Sequence, residues 1–172
     1  MRVPAYPLTP PLSGGRRFRT FNVLEDFNRE GLAIEIDLSL TAERVVRVVD
    51  RIALVKELAS RIRMDNGPES TSTALEEWAA FNEVELDFIE PGKPMQNGYV
   101  ERFNRSCRKG VLDMYIFDTL DEVRFKTEEW LRTYNEERPH DSLGDQTPVE
   151  YLEKNRPENW NLQRYKTGRV TQ

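Results

Sequence analysis

The order of apolar patterns along this chain predicts a mixed α/β domain. Three observations carry the prediction. An extended stretch at 17–24 is followed by a two-residue alternation at 32–38, and helical spacings recur over 45–58, from about 73, over 97–115 and from 120 to 134. Between the helices lie two short apolar runs, at 61–64 and 84–89. Strand, strand, helix, strand, helix, strand and then helices describe an antiparallel hairpin sharing a sheet with strands reached by helical crossovers.

The first 15 residues contain Pro4, Pro7, Pro10 and Pro11 and end in Ser13-Gly14-Gly15, so they read as an irregular arm. A strand over 17–24 leads into the turn Asp26-Phe27-Asn28-Arg29-Glu30-Gly31. In 32–38, Leu32, Ile34, Ile36 and Leu38 share one face and Ala33, Glu35 and Asp37 the other, the period of a strand with one wet face. Ser39 or Thr41 can cap the next helix, with Glu43 in its first turn and Val45, Val48, Val49, Ile52, Val55 and Leu58 as its apolar positions.

A short strand over 61–64 ends at Asp65, and Asn66-Gly67-Pro68 makes a sharp turn. The helix from Thr73 places Leu75, Trp78, Ala79 and Phe81 inward, and the strand at 84–89 closes on Pro91-Gly92-Lys93-Pro94. Over 97–115 the apolar stripe is Val100, Phe103, Cys107, Val111 and Met114, with Glu101 off the stripe. Thr119-Leu120-Asp121-Glu122 has capping-box spacing and opens a helix with Leu120, Val123, Thr127, Trp130, Leu131 and Tyr134 inward. Arg138-Pro139 ends it, and Thr147-Pro148 starts a last short helix through Leu152. The expected division is an arm at 1–15, a core at 16–152 and a polar, basic tail at 153–172.

At 172 residues the chain reads as one soluble domain that buries roughly 70% of its unfolded surface. One cysteine, Cys107, forms no internal disulfide, and a lone thiol on a helical stripe reads as a small apolar group. His140 is the single histidine, which disfavours Ser-His and Cys-His nucleophile schemes. No apolar run of about 18 residues is present, so no membrane partner is expected and the cytoplasm is the default location.

The net charge of −5 argues mildly against nucleic acid. The charge is segregated, however. Arg102, Arg105, Arg108 and Lys109 stand against one acid in 101–109, whereas 76–90 holds six acids and no base. A local DNA track is therefore compatible with the acidic average.

Asp65 and Glu101 have 35 residues between them. An acid where a strand finishes projects from the carboxyl end of a sheet, the usual site of function in α/β folds. A helix-borne acid could face it across a cleft. Two carboxylates held together repel unless a cation neutralises them, and an oxygen-only donor set favours Mg²⁺ or Mn²⁺ over zinc. Taken singly the signals are weak, because Asp-Asn-Gly is a turn signal in its own right and Glu101 with Arg105 has the spacing of an ordinary helical ion pair.

Together, Asp65-Asn66-Gly67-Pro68-Glu69, Pro91-Gly92-Lys93-Pro94 with Gln96-Asn97-Gly98-Tyr99-Val100-Glu101-Arg102-Phe103-Asn104, Tyr134-Asn135-Glu136-Glu137-Arg138-Pro139-His140 and Thr147-Pro148-Val149-Glu150-Tyr151-Leu152 closely resemble bacterial insertion-sequence transposases of the retroviral-integrase superfamily. The resemblance spans roughly residues 15–152. It implies an RNase H-like mixed sheet flanked by helices and a D-D-E triad that holds two Mg²⁺ (or Mn²⁺) ions for phosphodiester cleavage and strand transfer. Asp65 and Glu101 match the second and third acids. Lys93, Asn97, Arg105 and Arg108 become candidate DNA contacts. The implied partners are transposon-end and target DNA, and copies of the same chain or intact transposase subunits.

The pattern is incomplete. The first triad aspartate is expected just before the segment 16–20, and no acid precedes Glu25. The opening strand is thus expected to be missing or replaced, the upstream helix-turn-helix is not represented, and cleavage should be impaired. Asp26 falls in the turn after the hairpin's first strand, away from the triad position. The alternative is a non-catalytic remnant that binds DNA or pairs with intact subunits.

Overall fold

The computed structural model describes residues 1, 10–56, 59–64, 72–89 and 98–156. Strand β1 (Arg19–Leu24) pairs antiparallel with β2 (Gly31–Asp37), with a register shift between Val23 and Leu24. Strand β3 (Arg61–Met64) pairs in parallel with β4 (Glu85–Phe88). Helix α2 (Thr73–Phe81) provides the crossover between them, capped by the Ser72 side chain accepting from Leu75 N–H. Helix α1 (Ala42–Val55) joins the two strand pairs; Thr41 stands at its N-cap without a side-chain capping bond.

Beyond these two strand pairs come α3 (Gly98–Cys107), a π-helical continuation (Arg108–Leu112), α4 (Leu120–Glu136) and α5 (Pro148–Asn155). Both capping boxes form, Thr119 with Glu122 and Thr147 with Glu150. Each satisfies two backbone donors that the first turn would otherwise leave without partners.

Helices cover both faces of the hairpin. Phe21, Val23 and Ala33 pack with Val45, Val48, Val49 and Ile52 of α1 and with Leu75, Trp78 and Ala79 of α2. On the opposite face Phe18 and Ile36 pack with Cys107, Val111, Leu112 and Val123, while Leu24 meets Val100, Phe103 and Tyr134. The wet face expected for β2 is therefore covered: Ala33 is buried, and Glu35 and Asp37 are ion-paired with Arg44, Glu35 also with Arg51. An alternating pattern on a central hairpin can hide acids under a helix when guanidinium groups answer them.

Four other expectations are corrected, the first being Val55, which is 45% exposed at the end of α1. Phe81 is 88% exposed at the last turn of α2, because that helix buries only Leu75, Trp78 and Ala79. Leu38 lies beyond the end of β2 and is exposed. Met114 is exposed as well: the wider π turn brings the adjacent Val111 and Leu112 both inward, and the helix ends before the apolar stripe reaches Met114.

The segment before β1 is closely attached where it is described. Leu12 is buried against Phe18 and Phe117, and Ser13 N–H donates to Phe117 O. Met1 lies against β3: its amine donates to Arg61 O at 3.4 Å and its carbonyl accepts from Arg63 N–H at 2.9 Å, the pattern of a parallel neighbour. Residues 2–9, expected to be irregular, and 157–172, expected to be a polar tail, fall outside the described residues.

Candidate nucleic-acid interface and metal-ligating acid

Helix α3 is seated by Val100, Phe103 and Cys107, spaced three and four residues apart and all buried. That seating turns Glu101, Arg102, Arg105 and Arg108 to the surface, where all four are exposed. Glu101 sits in the first turn, where the helix dipole favours a negative charge. The helical ion pair with Arg105 does not form; among the described residues the Glu101 carboxylate has no ion-pair or hydrogen-bond partner, and neither has the Arg105 guanidinium. Arg108 reaches Asp113 only at 4.0 Å.

The helix is also held by a polar contact beneath it. Asn22, completely buried on β1, donates from Nδ2 to Oδ1 of Asn104 at 2.7 Å. Thr20, two residues earlier on the same strand face, is buried too, and its hydroxyl and the Asn22 Oδ1 have no partner. Behind the π turn, Trp130 packs so closely on Gly110 that a β-carbon there would lie 2.5 Å from its Nε1.

Of the candidate residues, Asp65, Lys93 and Asn97 lie outside the described residues. What the structure does place is their neighbourhood: β3 ends at Met64, whose carbonyl accepts from Ile89 N–H at 2.9 Å, and α3 begins at Gly98. Carboxylate oxygens are the hard donors that Mg²⁺ and Mn²⁺ take, and Glu101 offers such a group free of competing cations among the described residues.

Sequence reasoning did not single out a second basic group beside α3. Arg29 occupies the β1–β2 turn at φ 61°, the left-handed region an arginine seldom adopts. Its guanidinium lies 3.6 Å from the centroid of the Tyr99 ring and donates to Asp26. Asn135 ties this turn to α4, accepting from Gly31 N–H and donating to Gly31 O, each at 2.9 Å. Tyr134 stands edge-on to Phe103 at 4.9 Å and to His140 at 4.8 Å, and Arg138 lies 5.9 Å from the Tyr134 ring.

Burial pushes the Tyr134 phenol up to about 12 despite the nearby charges of Arg138, Arg29 and Arg102. His140 is held below its ordinary value, first by burial and then by the Arg138 charge, so it is neutral at pH 7. Burial alone raises the Cys107 thiol to about 12.

Comparison with known proteins accounts for this arrangement. The integrase core domain family matches residues 8–94 in one form and 82–148 in another. The chain is 40% identical over 145 residues to the insertion element IS407 uncharacterized 31.7 kDa protein of Burkholderia multivorans, covering 84% of this chain and 52% of that protein. It is 37% identical over 140 residues to the insertion element IS476 uncharacterized 39.2 kDa protein of Xanthomonas euvesicatoria, covering 81% and 40%. The chain thus spans about half the length, or less, of these relatives.

Its fold is similar to that of the HTLV-2 integrase catalytic core domain, solved in complex with magnesium in a trimeric form. The TM-score is 0.64 at 17% identity, over 87% of this chain and 93% of that one. The expected RNase H-like mixed α/β fold is therefore the fold observed. Sequence family and fold agree: the chain belongs to the integrase core domain family.

Proposed function

We propose that this protein is the catalytic-core portion of a DNA transposase that holds DNA through α3 and whose cleavage chemistry is impaired. The single observation that carries the reading is the exposed Glu101, unpaired among the described residues, on a helix whose outward face also carries Arg102 and Arg105. Asp65 and Glu101 would hold a divalent cation, Mg²⁺ or Mn²⁺. When bound, that cation supplies positive charge at a scissile phosphodiester. Arg105 and Arg108, with Lys93 and Asn97, bind the DNA backbone and hold it beside the acids. The impairment rests on the segment 1–20, which carries no acid at the place where the resemblance puts the family's first aspartate. Loss of one member of a catalytic unit commonly lowers rate on the order of 10⁴–10⁶. DNA ends and target, and further copies of the chain or intact transposase subunits, are its partners.

The missing acid also supports a second reading, a non-catalytic partner that binds DNA or joins intact transposase subunits. Incubating the protein with labelled insertion-element-end duplex and Mn²⁺, beside Glu101→Gln, separates the two. Weak nicking that disappears in Glu101→Gln supports the impaired enzyme; no nicking with retained DNA binding supports the partner. Duplex affinity that does not fall as salt rises overturns phosphate binding for both.

A further inference from the structure

Around Tyr134 and His140 three arginines converge from three separate elements. Arg29 comes from the β1–β2 turn, Arg102 from the first turn of α3, and Arg138 from the segment just after α4. The convergence is built by packing. Asn135 clamps Gly31, two residues after Arg29. Phe103, next to Arg102, meets the Tyr134 ring edge-on, and Arg138 lies over that same ring.

Arg102 and Arg138 are exposed, and among the described residues neither has a carboxylate partner. Other arginines, Arg44, Arg51, Arg61, Arg63 and Arg124, each answer an acid, as Arg29 does with Asp26. Two buried atoms inside the cluster, Arg29 Nε and His140 Nε2, also have no hydrogen-bond partner among the described residues. Bringing three guanidinium groups together, with only Arg29 answered by an acid (Asp26, at 3.0 Å) among the described residues, is unfavourable in the free protein, and buried nitrogens without partners add to that. An anion rich in acceptor oxygens relieves both. Arg29 keeps its guanidinium here even though its backbone sits at φ 61°, where asparagine or glycine would be less strained.

We propose that Arg29, Arg102 and Arg138 form a phosphate-binding cleft around Tyr134 and His140 that grips the backbone of duplex DNA. Arginine forks match phosphate oxygens, and the aromatic faces of Tyr99 and Tyr134 hold two of the forks in place. The cleft adjoins the track of Arg105 and Arg108: from Arg102 to Arg108 the helix rises roughly 9 Å. One strand could therefore run from the turn, past Glu101, along α3. The inference rests on the proposed DNA reading and extends the contact to a part of the surface that reading does not use.

The test is duplex binding by fluorescence anisotropy across a salt series, for the wild type, Arg102→Gln with Arg138→Gln, Arg29→Asn, and Arg105→Gln with Arg108→Gln. Arg102 and Arg138 are exposed, and asparagine tolerates the left-handed turn, so thermal unfolding of these variants should stay near the wild type. The cleft predicts that the Arg102/Arg138 double variant flattens the slope of log K against log[salt] by about 2, and Arg29→Asn by about 1. An unchanged slope in the Arg102/Arg138 double variant, with a flattened one in the Arg105/Arg108 pair, overturns the cleft and leaves the proposed function standing.

If the wild type binds no duplex, the proposed function falls, and inorganic phosphate decides the cleft. His140 is the chain's single histidine, so its imidazole NMR signals are an unambiguous reporter. A saturable phosphate-dependent shift, lost in the Arg102/Arg138 double variant, supports an anion site. No shift, or one that persists in that variant, overturns it.

Discussion

The side-chain amide of Asn22 donates to Oδ1 of Asn104 at 2.7 Å, so a fully buried residue of β1 bears directly on the helix that carries Glu101. The two partners are unequal. Asn104 is half-buried and can reach water, whereas Asn22 cannot, and its own Oδ1 already lacks a bond. Asn104→Ala strands the whole Asn22 amide and should cost about 1–3 kcal/mol, while Asn22→Leu removes an ill-satisfied polar group and should cost less. Urea unfolding of the two single variants checks the order; equal losses would contradict it.

Gly31 has no room for a side chain. A β-carbon there would overlap Leu131 Cδ1 and stand 2.9 Å from Phe103 Cε2. Gly31→Ala should therefore destabilise by about 1–3 kcal/mol. Adding Leu131→Ala relieves only the closer overlap, so the double variant should lose less than the sum of the two single changes. Thermal melts of the three variants measure this directly.

His140 gives a pH dependence with a definite sign. Its pKa is lowered on folding, so the unfolded chain binds the proton more readily than the native one. The stability it contributes is complete above about pH 6.5 and is lost as pH falls through the lower folded value. The groups facing it are Arg138, Arg102, Asp141 and the Tyr134 ring. Between pH 7 and 5 the wild type should lose more stability than His140→Gln, as measured by denaturant midpoints at each pH.

Cys107 should be unreactive in the folded protein. It is buried among Phe18, Ile36 of β2 and Val123 of α4, and burial raises its thiol to about 12. Iodoacetamide at pH 8 should leave the native chain unmodified by mass spectrometry and add one label once urea unfolds it. Labelling at similar rates in both states would show that α3 opens readily.

Some elements were legible because local chemistry specifies them. The β1–β2 hairpin follows from alternation about a polar turn, the edges of β3 fall at the expected residues, and the capping box forms at Thr119 and Glu122 as its spacing indicates. Phe81, Leu38 and Met114 were misjudged for one shared reason. Periodicity says which side of an element a residue occupies, but not whether a neighbour reaches that side at the element's end. The π turn adds a further shift, since it changes the period itself.

The candidate site divides along the same line. Glu101, Arg105 and Arg108 were readable as the outward face of α3, because the buried stripe Val100, Phe103 and Cys107 leaves them nowhere else to point. Arg29 and Arg138 carried no such signal. They lie 109 residues apart and meet Arg102 only because Asn135 binds the backbone of Gly31 and Tyr134 packs on Phe103.

By itself the sequence determined the family, the alternation of strands and helices, and which acid stands on α3, since each is written in residues close together in the chain. Only the tertiary structure decided that Glu35 and Asp37 lie beneath α1, that Asn22 supports the helix bearing Glu101, and that the charges of Arg29, Arg102 and Arg138 all act on Tyr134. These depend on contacts between distant segments, which form only once a common core has fixed the elements against one another.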